Sequence, residues 1–172
     1  MWLTILTLLT KYRTLVLALV LGISTPAGPS NADDPSFLSI GAGYYDLLHD
    51  AGAAEFRIEY RSRYRWWLFK PFGGLTSTTN PAAFAYAGVL SDFYFGNRLV
   101  VSPSVAAGPY LRGAGKDLGH VFEIRSGLEI AYRFNDRSRL GLLFYHISNA
   151  GLGDDKNPGA EVLSLTYSIP LN

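Results

Sequence analysis

The sequence predicts an all-β fold, namely an eight-stranded antiparallel β-barrel that spans a membrane. After Asp33, apolar and polar residues alternate with a period of two through most of the chain, and no segment shows a convincing helical period. Turn residues divide this region into runs of about ten residues, the length that a tilted strand needs to cross a bilayer. The 11 Tyr and 10 Phe among 172 residues agree with this assignment, because strands favour aromatic side chains.

The segment that precedes the strands, residues 1–32, is predicted to be a secretory signal peptide. Two basic residues are followed by an apolar run that is too short for a membrane-spanning helix, and then by small residues. Cleavage after Ala32 fits the small-x-small pattern best, and Ala27 is the second choice. A retained signal anchor is the alternative to removal. The mature β-barrel domain would comprise residues 33–172.

Eight segments are expected to form the barrel, and their connections differ in length. The turns at residues 62–64, 96–98 and 135–137 are tight, whereas those at residues 112–119 and 149–159 are longer. Outer-membrane barrels have short turns on the periplasmic side and longer loops outside. The expected strands comprise residues 36–48, 53–61, 66–77, 83–95, 99–111, 120–134, 138–148 and 160–170.

Each expected strand has two unlike faces. Between Phe122 and Phe134, one face is mostly large and apolar, and the other carries charges such as Glu129. A barrel of eight strands is too narrow for a channel, so we expect the charged faces to form an ion-pair network inside it. Neighbouring aromatics, including Tyr44-Tyr45 and Trp66-Trp67, are expected in interfacial girdles. A soluble barrel with an aromatic core is the alternative.

The composition excludes several classes of function. The chain has no Cys, which excludes disulfides, thiol catalysis and thiolate metal sites, and its three His disfavour a histidine-rich metal site. No metal and no cofactor are therefore expected. The 15 basic and 14 acidic residues nearly balance, so no strongly basic face for nucleic acid is predicted.

Three polar residues are predicted to converge near one rim of the barrel. His146 and Ser148 lie at the outer end of the seventh expected strand, and Glu161 lies at the start of the eighth, on faces expected to contact lipid. A serine, a histidine and an acid together are the components of nucleophilic catalysis. Facing the bilayer, such a group would suit a lipid substrate. The alternative is an ordinary polar rim, which is our interpretation of His49 and His120.

The residues around this cluster resemble the PagL family, the lipid A 3-O-deacylases of the outer membrane. The resemblance rests on the run His146-Ile147-Ser148-Asn149-Ala150-Gly151-Leu152, on Asn157-Pro158-Gly159-Ala160-Glu161, and on the closing Ile169-Pro170. It implies hydrolysis of the ester at position 3 of lipid A, with Ser148 as nucleophile, His146 as general base and Glu161 as orienting acid. Backbone N–H groups of the Asn149–Gly151 region or the Asn157 side chain would hold the oxyanion.

The resemblance also implies the location and the partners. The barrel would lie in the outer membrane with its active site toward the outer leaflet, and its partners would be lipid A, lipopolysaccharide and membrane lipids, with a homodimer left open. Arg112, Lys116 and Lys156 could contact lipid A phosphates, although solvated loops are the simpler interpretation. The competing functions are a non-catalytic structural or adhesive barrel and an outer-membrane phospholipase.

Overall fold

A computed structural model describes residues 34–48, 52–152 and 156–171 of the chain. The predicted signal peptide at residues 1–32 lies outside the described residues, as does His49. Within the part that is described, no helix is long and apolar enough to cross a membrane.

The described residues form a closed antiparallel β-barrel, which confirms the predicted fold class. The elements are β1 Ser36–Tyr45, β2 Ala53–Arg61, β3 Lys70–Thr78, β4 Ala83–Leu90, β5 Phe93–Phe95, β6 Leu99–Leu111, β7 Phe122–Arg133, β8 Arg139–Ser148 and β9 Ala160–Leu171. Successive strands pair with each other, except that β4 and β5 both pair with β6 and so form two parts of one barrel strand. The pairing of β1 with β9 closes the ring, which has eight strands.

Two predicted strands differ most from the observed ones. The third strand begins at Lys70 and not at residue 66, because Trp66 and Phe69 exchange two backbone hydrogen bonds of 2.9 and 3.0 Å that close a tight turn. The fourth predicted strand is interrupted between Leu90 and Phe93. There the Asp92 carboxylate accepts hydrogen bonds from Lys70 Nζ at 2.9 Å and Ser102 Oγ at 2.6 Å.

Along the strands, one face is buried and carries most of the charges, and the other is exposed and mostly apolar, as predicted. Along β2 every second residue is buried, beginning with Ala53 and Glu55, while the side chains of Phe56, Ile58 and Tyr60 are exposed on the outer surface. An apolar exterior around a charged interior is the arrangement of a membrane barrel, and it excludes the soluble alternative. The expectation that both members of an aromatic pair lie in the girdles is wrong for Tyr44-Tyr45 and Phe144-Tyr145, because alternation turns Tyr45 and Tyr145 into the interior, where both are buried. Both members of Trp66-Trp67 are exposed.

The interior is filled by interlocked charged side chains, as predicted. Arg61 donates two hydrogen bonds to Glu129, of 2.8 and 2.7 Å, and a third of 2.7 Å to Glu59. Glu59 also accepts from Arg57 at 3.0 Å and from Arg125 at 3.3 Å. Buried ions are tolerated only with such partners, so these buried side chains fill the interior as one paired network.

The connections define two ends of the barrel. The end that we call the turn end holds the start of β1, the end of β9 and the connections at residues 62–69, 96–98 and 134–138. The end that we call the loop end holds the connections between β1 and β2, β3 and β4, β6 and β7, and β8 and β9. His146, Ser148 and Glu161 all lie near the loop end.

Candidate active site

The register of β8 and β9 brings His146 and Glu161 together. The two residues are direct partners in this antiparallel pair, and His146 Nδ1 lies 3.1 Å from Glu161 Oε1. Their side chains are 39% and 16% exposed, and they continue the outward rows that include Phe144 and Leu163. A carboxylate acceptor at Nδ1 places the ring proton there and leaves Nε2 to accept a proton from another group.

Ser148 is the last residue of β8 and lies on the same outward face as His146. The two residues are separated by about 7 Å of strand, which their side chains must bridge. Within the described residues, no hydrogen bond joins Ser148 Oγ to the imidazole. Catalytic hydrogen bonds often tighten only when substrate binds, so this separation is compatible with a nucleophile and base.

Another serine lies beside the histidine. Ser126 of β7 is the direct cross-strand partner of His146, and its side chain is exposed on the outer surface. Cβ atoms of directly opposite residues are about 5 Å apart, so Ser126 is also within reach of the imidazole. Sequence reasoning missed this residue, because only the register of β7 against β8 reveals it.

Gly159 packs against the imidazole from the end of the loop that precedes β9. Its φ is +61°, and a Cβ at this position would lie 2.5 Å from His146 Cε1 and 3.0 Å from Nε2. Both the backbone conformation and the contact require glycine. The sequence motif contains Gly159, but nothing in the sequence shows that it adjoins the ring.

Asn149 connects the loops around the site. Its fully buried side chain donates to the carbonyl oxygens of Lys156 at 2.9 Å and Leu118 at 3.1 Å, and accepts from the Gly151 N–H at 2.9 Å. Its own N–H donates to Asn157 Oδ1 at 3.2 Å. The side chain therefore ties the segment that follows Ser148 to the neighbouring loop between β6 and β7.

These contacts bear on the predicted oxyanion donors. The N–H groups of Asn149 and Gly151 are both directed at side-chain oxygens. Asn157 uses its carbonyl oxygen in this network, and its amide nitrogen carries two further N–H groups. The role of all three residues in binding an oxyanion stays a prediction.

The loop cations that sequence reasoning singled out all pair with aspartates. Arg112 Nη1 and Lys156 Nζ lie 3.2 and 2.7 Å from the same Asp117 oxygen, and Lys116 Nζ lies 2.6 Å from Asp46. The hydrogen bond from Lys156, assisted by the Gly119 N–H, lowers the pKa of Asp117. Arg112 and Lys156 therefore share one carboxylate. Nowhere in the described residues is a group of three or more acidic or histidine side chains placed to hold a metal ion.

The fold and this cluster together define a small outer-membrane β-barrel with a histidine–carboxylate pair on its outward face near the loop end. The sequence profile of the family described as lipid A 3-O-deacylase (PagL) matches residues 49–170. The chain therefore belongs to the PagL lipid A 3-O-deacylase family of outer-membrane hydrolases, which confirms the predicted family and location.

Two solved structures share the fold. The outer membrane enzyme PagL aligns with a TM-score of 0.62 at 17% identity, over 78% of this chain and 99% of that one. Neisserial surface protein A (NspA) aligns with a TM-score of 0.59 at 12% identity, over 79% of this chain and 97% of that one. No curated protein matches the sequence.

Proposed function

We propose that this protein hydrolyses the ester-linked acyl chain at position 3 of lipid A, with Ser148 as nucleophile, His146 as general base and Glu161 as orienting acid. The observation that supports the proposal most directly is the hydrogen bond between His146 Nδ1 and Glu161 Oε1 on the outward face of the barrel. Ser148 lies on that face at the end of the same strand. Family membership supplies the substrate class and the ester position.

The reaction would run in two halves. Ser148 Oγ attacks the ester carbonyl carbon while His146 Nε2 takes the hydroxyl proton, and Glu161 stabilises the imidazolium. The tetrahedral intermediate collapses, the bond to the sugar 3-oxygen breaks, and His146 returns the proton to that oxygen. Water then attacks the acyl-serine with His146 again as base, which releases the fatty acid and restores Ser148.

The oxyanion would be held by the Asn157 amide or by backbone N–H groups of the Asn149–Gly151 region. The contacts favour the Asn157 amide, because the Asn149 and Gly151 N–H groups already donate to side-chain oxygens. Donors in a site without water stabilise developing negative charge strongly. Arg112 and Lys156, which share Asp117, would face the phosphates of lipid A.

The site's position on the barrel fits a substrate that stays in the membrane. Phe144 lies two residues before His146 on β8, and Leu163 lies two residues after Glu161 on β9. Both side chains are exposed on the outer surface. An acyl chain can lie along this apolar surface while its ester reaches the polar rim above. The filled interior offers no alternative route through the network of Arg61 and Glu129.

The decisive experiment compares Ser148→Ala with Ser126→Ala. Cells expressing each variant are examined by mass spectrometry of lipid A and of phospholipids, and heat-modifiable gel migration verifies that the barrel has folded. Ser148→Ala should lower deacylation by about three or more orders of magnitude. Ser126→Ala, which changes the other serine near His146, should retain activity.

The two serine variants also test the alternatives. If Ser126→Ala loses activity and Ser148→Ala retains it, Ser126 of β7 is the nucleophile and the assignment of Ser148 is refuted. Released lysophospholipids with unchanged lipid A would identify a phospholipase instead. Unmodified lipid A and phospholipids in cells with the unaltered, folded protein would favour a non-catalytic barrel.

We also infer that the mature protein begins after residue 32. The support is the basic, apolar and small-residue order of that segment in an outer-membrane protein. Amino-terminal sequencing of protein isolated from outer membranes should give Asp33, and a start at Gly28 would favour the second cleavage site.

A further inference from the structure

The connection between β2 and β3 has an unusual composition for a turn. It comprises residues 62–69 and carries the three most exposed large hydrophobic side chains of the described residues, namely Trp66 at 84%, Trp67 at 74% and Tyr64 at 71%. Turns usually carry Gly, Pro, Asn, Asp or Ser, which suit both the backbone and water. This turn instead presents aromatic rings away from the body of the barrel.

Contacts within residues 62–69, which we call the aromatic turn, define its shape. Trp66 and Phe69 exchange two backbone hydrogen bonds, and the rings of Trp67 and Phe69 meet edge to face with centroids 6.0 Å apart. Trp67 has a φ of +56°, a left-handed conformation that is disfavoured for a bulky side chain. Strained backbone of this kind persists where the surrounding structure imposes it, and it clusters at functional positions.

Basic residues are concentrated in the connections at the turn end. Residues 62–69, 96–98 and 134–138 contain four arginines against one acid, Asp136. The arginines are Arg63, Arg65, Arg98 and Arg137. The connections at the loop end, residues 46–52, 79–82, 112–121 and 149–159, contain three basic residues against five acids. The excess of positive charge is therefore at the turn end.

We propose that this rim, the aromatic turn together with the four arginines, binds the headgroups of anionic phospholipids in the leaflet at the turn end. Tryptophan and tyrosine rings favour the level of the headgroups, where one side is apolar and the other is wet. Guanidinium groups match the geometry of phosphate oxygens. The proposal depends on the outer-membrane location and not on the identity of the nucleophile.

Continuity with the lipid-facing surface favours lipid over a protein as the occupant. The exposed rings of Tyr60, Phe95, Tyr132 and Phe134 lie at the turn-end limits of their strands and extend the aromatic surface around the barrel. Arg98 stacks over Tyr132 with its guanidinium carbon 5.8 Å from the ring centroid, which couples a cation to this aromatic belt. The rim would then fix the depth of the barrel, and with it the level of the site at the other end.

The three tryptophans of the chain provide the probe. They are Trp2, Trp66 and Trp67, so in a full chain carrying Trp2→Phe all tryptophan fluorescence comes from the turn. The folded protein is reconstituted in vesicles of phosphatidylcholine with a fixed fraction of phosphatidylglycerol. Bromine on the acyl chains quenches tryptophan fluorescence. One sample contains brominated phosphatidylglycerol, and the other contains the same mole fraction of brominated phosphatidylcholine.

Brominated phosphatidylglycerol should quench the fluorescence of Trp66 and Trp67 more than the same mole fraction of brominated phosphatidylcholine does. Each arginine near the surface should enrich the anionic lipid about fivefold, and about 1 M salt should remove the difference because it screens charges beyond about 3 Å. Arg63→Gln combined with Arg65→Gln should reduce the preference. The matched pair Arg63→Lys with Arg65→Lys keeps both charges and should retain most of it.

Two results would overturn the proposal. Equal quenching by the two brominated lipids would show that the turn does not select anionic phospholipid. Quenching by aqueous iodide with none by either brominated lipid would place the tryptophans in water, as expected for a surface that contacts a protein. If the arginine variants fail to fold, the comparison of lipids and the salt dependence in the Trp2→Phe chain still decide between these outcomes.

Discussion

Substituting Gly159 by alanine should damage catalysis far more than it damages the fold. The new Cβ would lie 2.5 Å from His146 Cε1, whereas an ordinary contact begins at 3.4 Å, so the ring must move by 3.4 − 2.5 = 0.9 Å or the loop must shift. A displacement of about 1 Å in a catalytic group can cost about a hundredfold in rate. The left-handed backbone adds a loss of stability of about 1–2 kcal/mol.

Gly96→Ala separates these two effects. Gly96 has a φ of +63°, nearly that of Gly159, and a Cβ there would have no neighbour within 4 Å. Both variants should therefore lose similar stability in urea unfolding in detergent, while only Gly159→Ala should lose lipid A deacylation by mass spectrometry. Equal deacylation in the two variants would refute the role assigned to the imidazole contact.

Two further predictions concern the membrane face and the loop end. Leu165→Arg, at an exposed position near the middle of β9, should lower the free energy of unfolding by about 2–4 kcal/mol, while Ile169→Arg on the same face near the turn end should cost only about 0–1 kcal/mol. Urea unfolding in vesicles measures both, and equal costs would mean that β9 is placed at the wrong depth. Because its pKa is lowered, the Asp117 carboxylate should remain ionised as the pH falls through the range where an ordinary aspartate protonates, and the contact with Lys156 should be lost only at lower pH. Titration of the Asp117 carboxyl carbon by NMR should show a higher pKa in Lys156→Gln, and an unchanged titration would contradict the assigned cause.

The alternation of residue types predicted most of the fold because it records a local physical requirement. Each strand separates lipid from a charged interior, so the two faces of β2 and of β7 can be assigned without knowing their partners. The same rule placed His146 and Glu161 on outward rows, and antiparallel pairing across one loop brought them together.

What could not be predicted depends on contacts between distant segments or on rare backbone conformations. The run Trp66-Trp67-Leu68-Phe69 has the composition of a strand. It forms a turn because Trp67 has a positive φ, and the sequence does not indicate such a φ at a tryptophan. Asn149 resembles a site residue in sequence, yet its hydrogen bond to the Leu118 carbonyl joins residues 31 positions apart. Ser126 becomes a neighbour of His146 only through the register of β7.

The ion pairs across the interior have a consequence for how the barrel assembles. Arg61 is on β2 and Glu129 on β7, and these strands stand on opposite sides of the eight-stranded ring, four strands apart in either direction. The two residues can pair only when these strands face each other across the interior, as they do in the ring that β1 and β9 close. A half-assembled sheet without β7 would leave Glu59 and Arg61 without their partners Arg125 and Glu129, in a medium that solvates charge poorly. Closure of the ring and neutralisation of the interior are thus coupled.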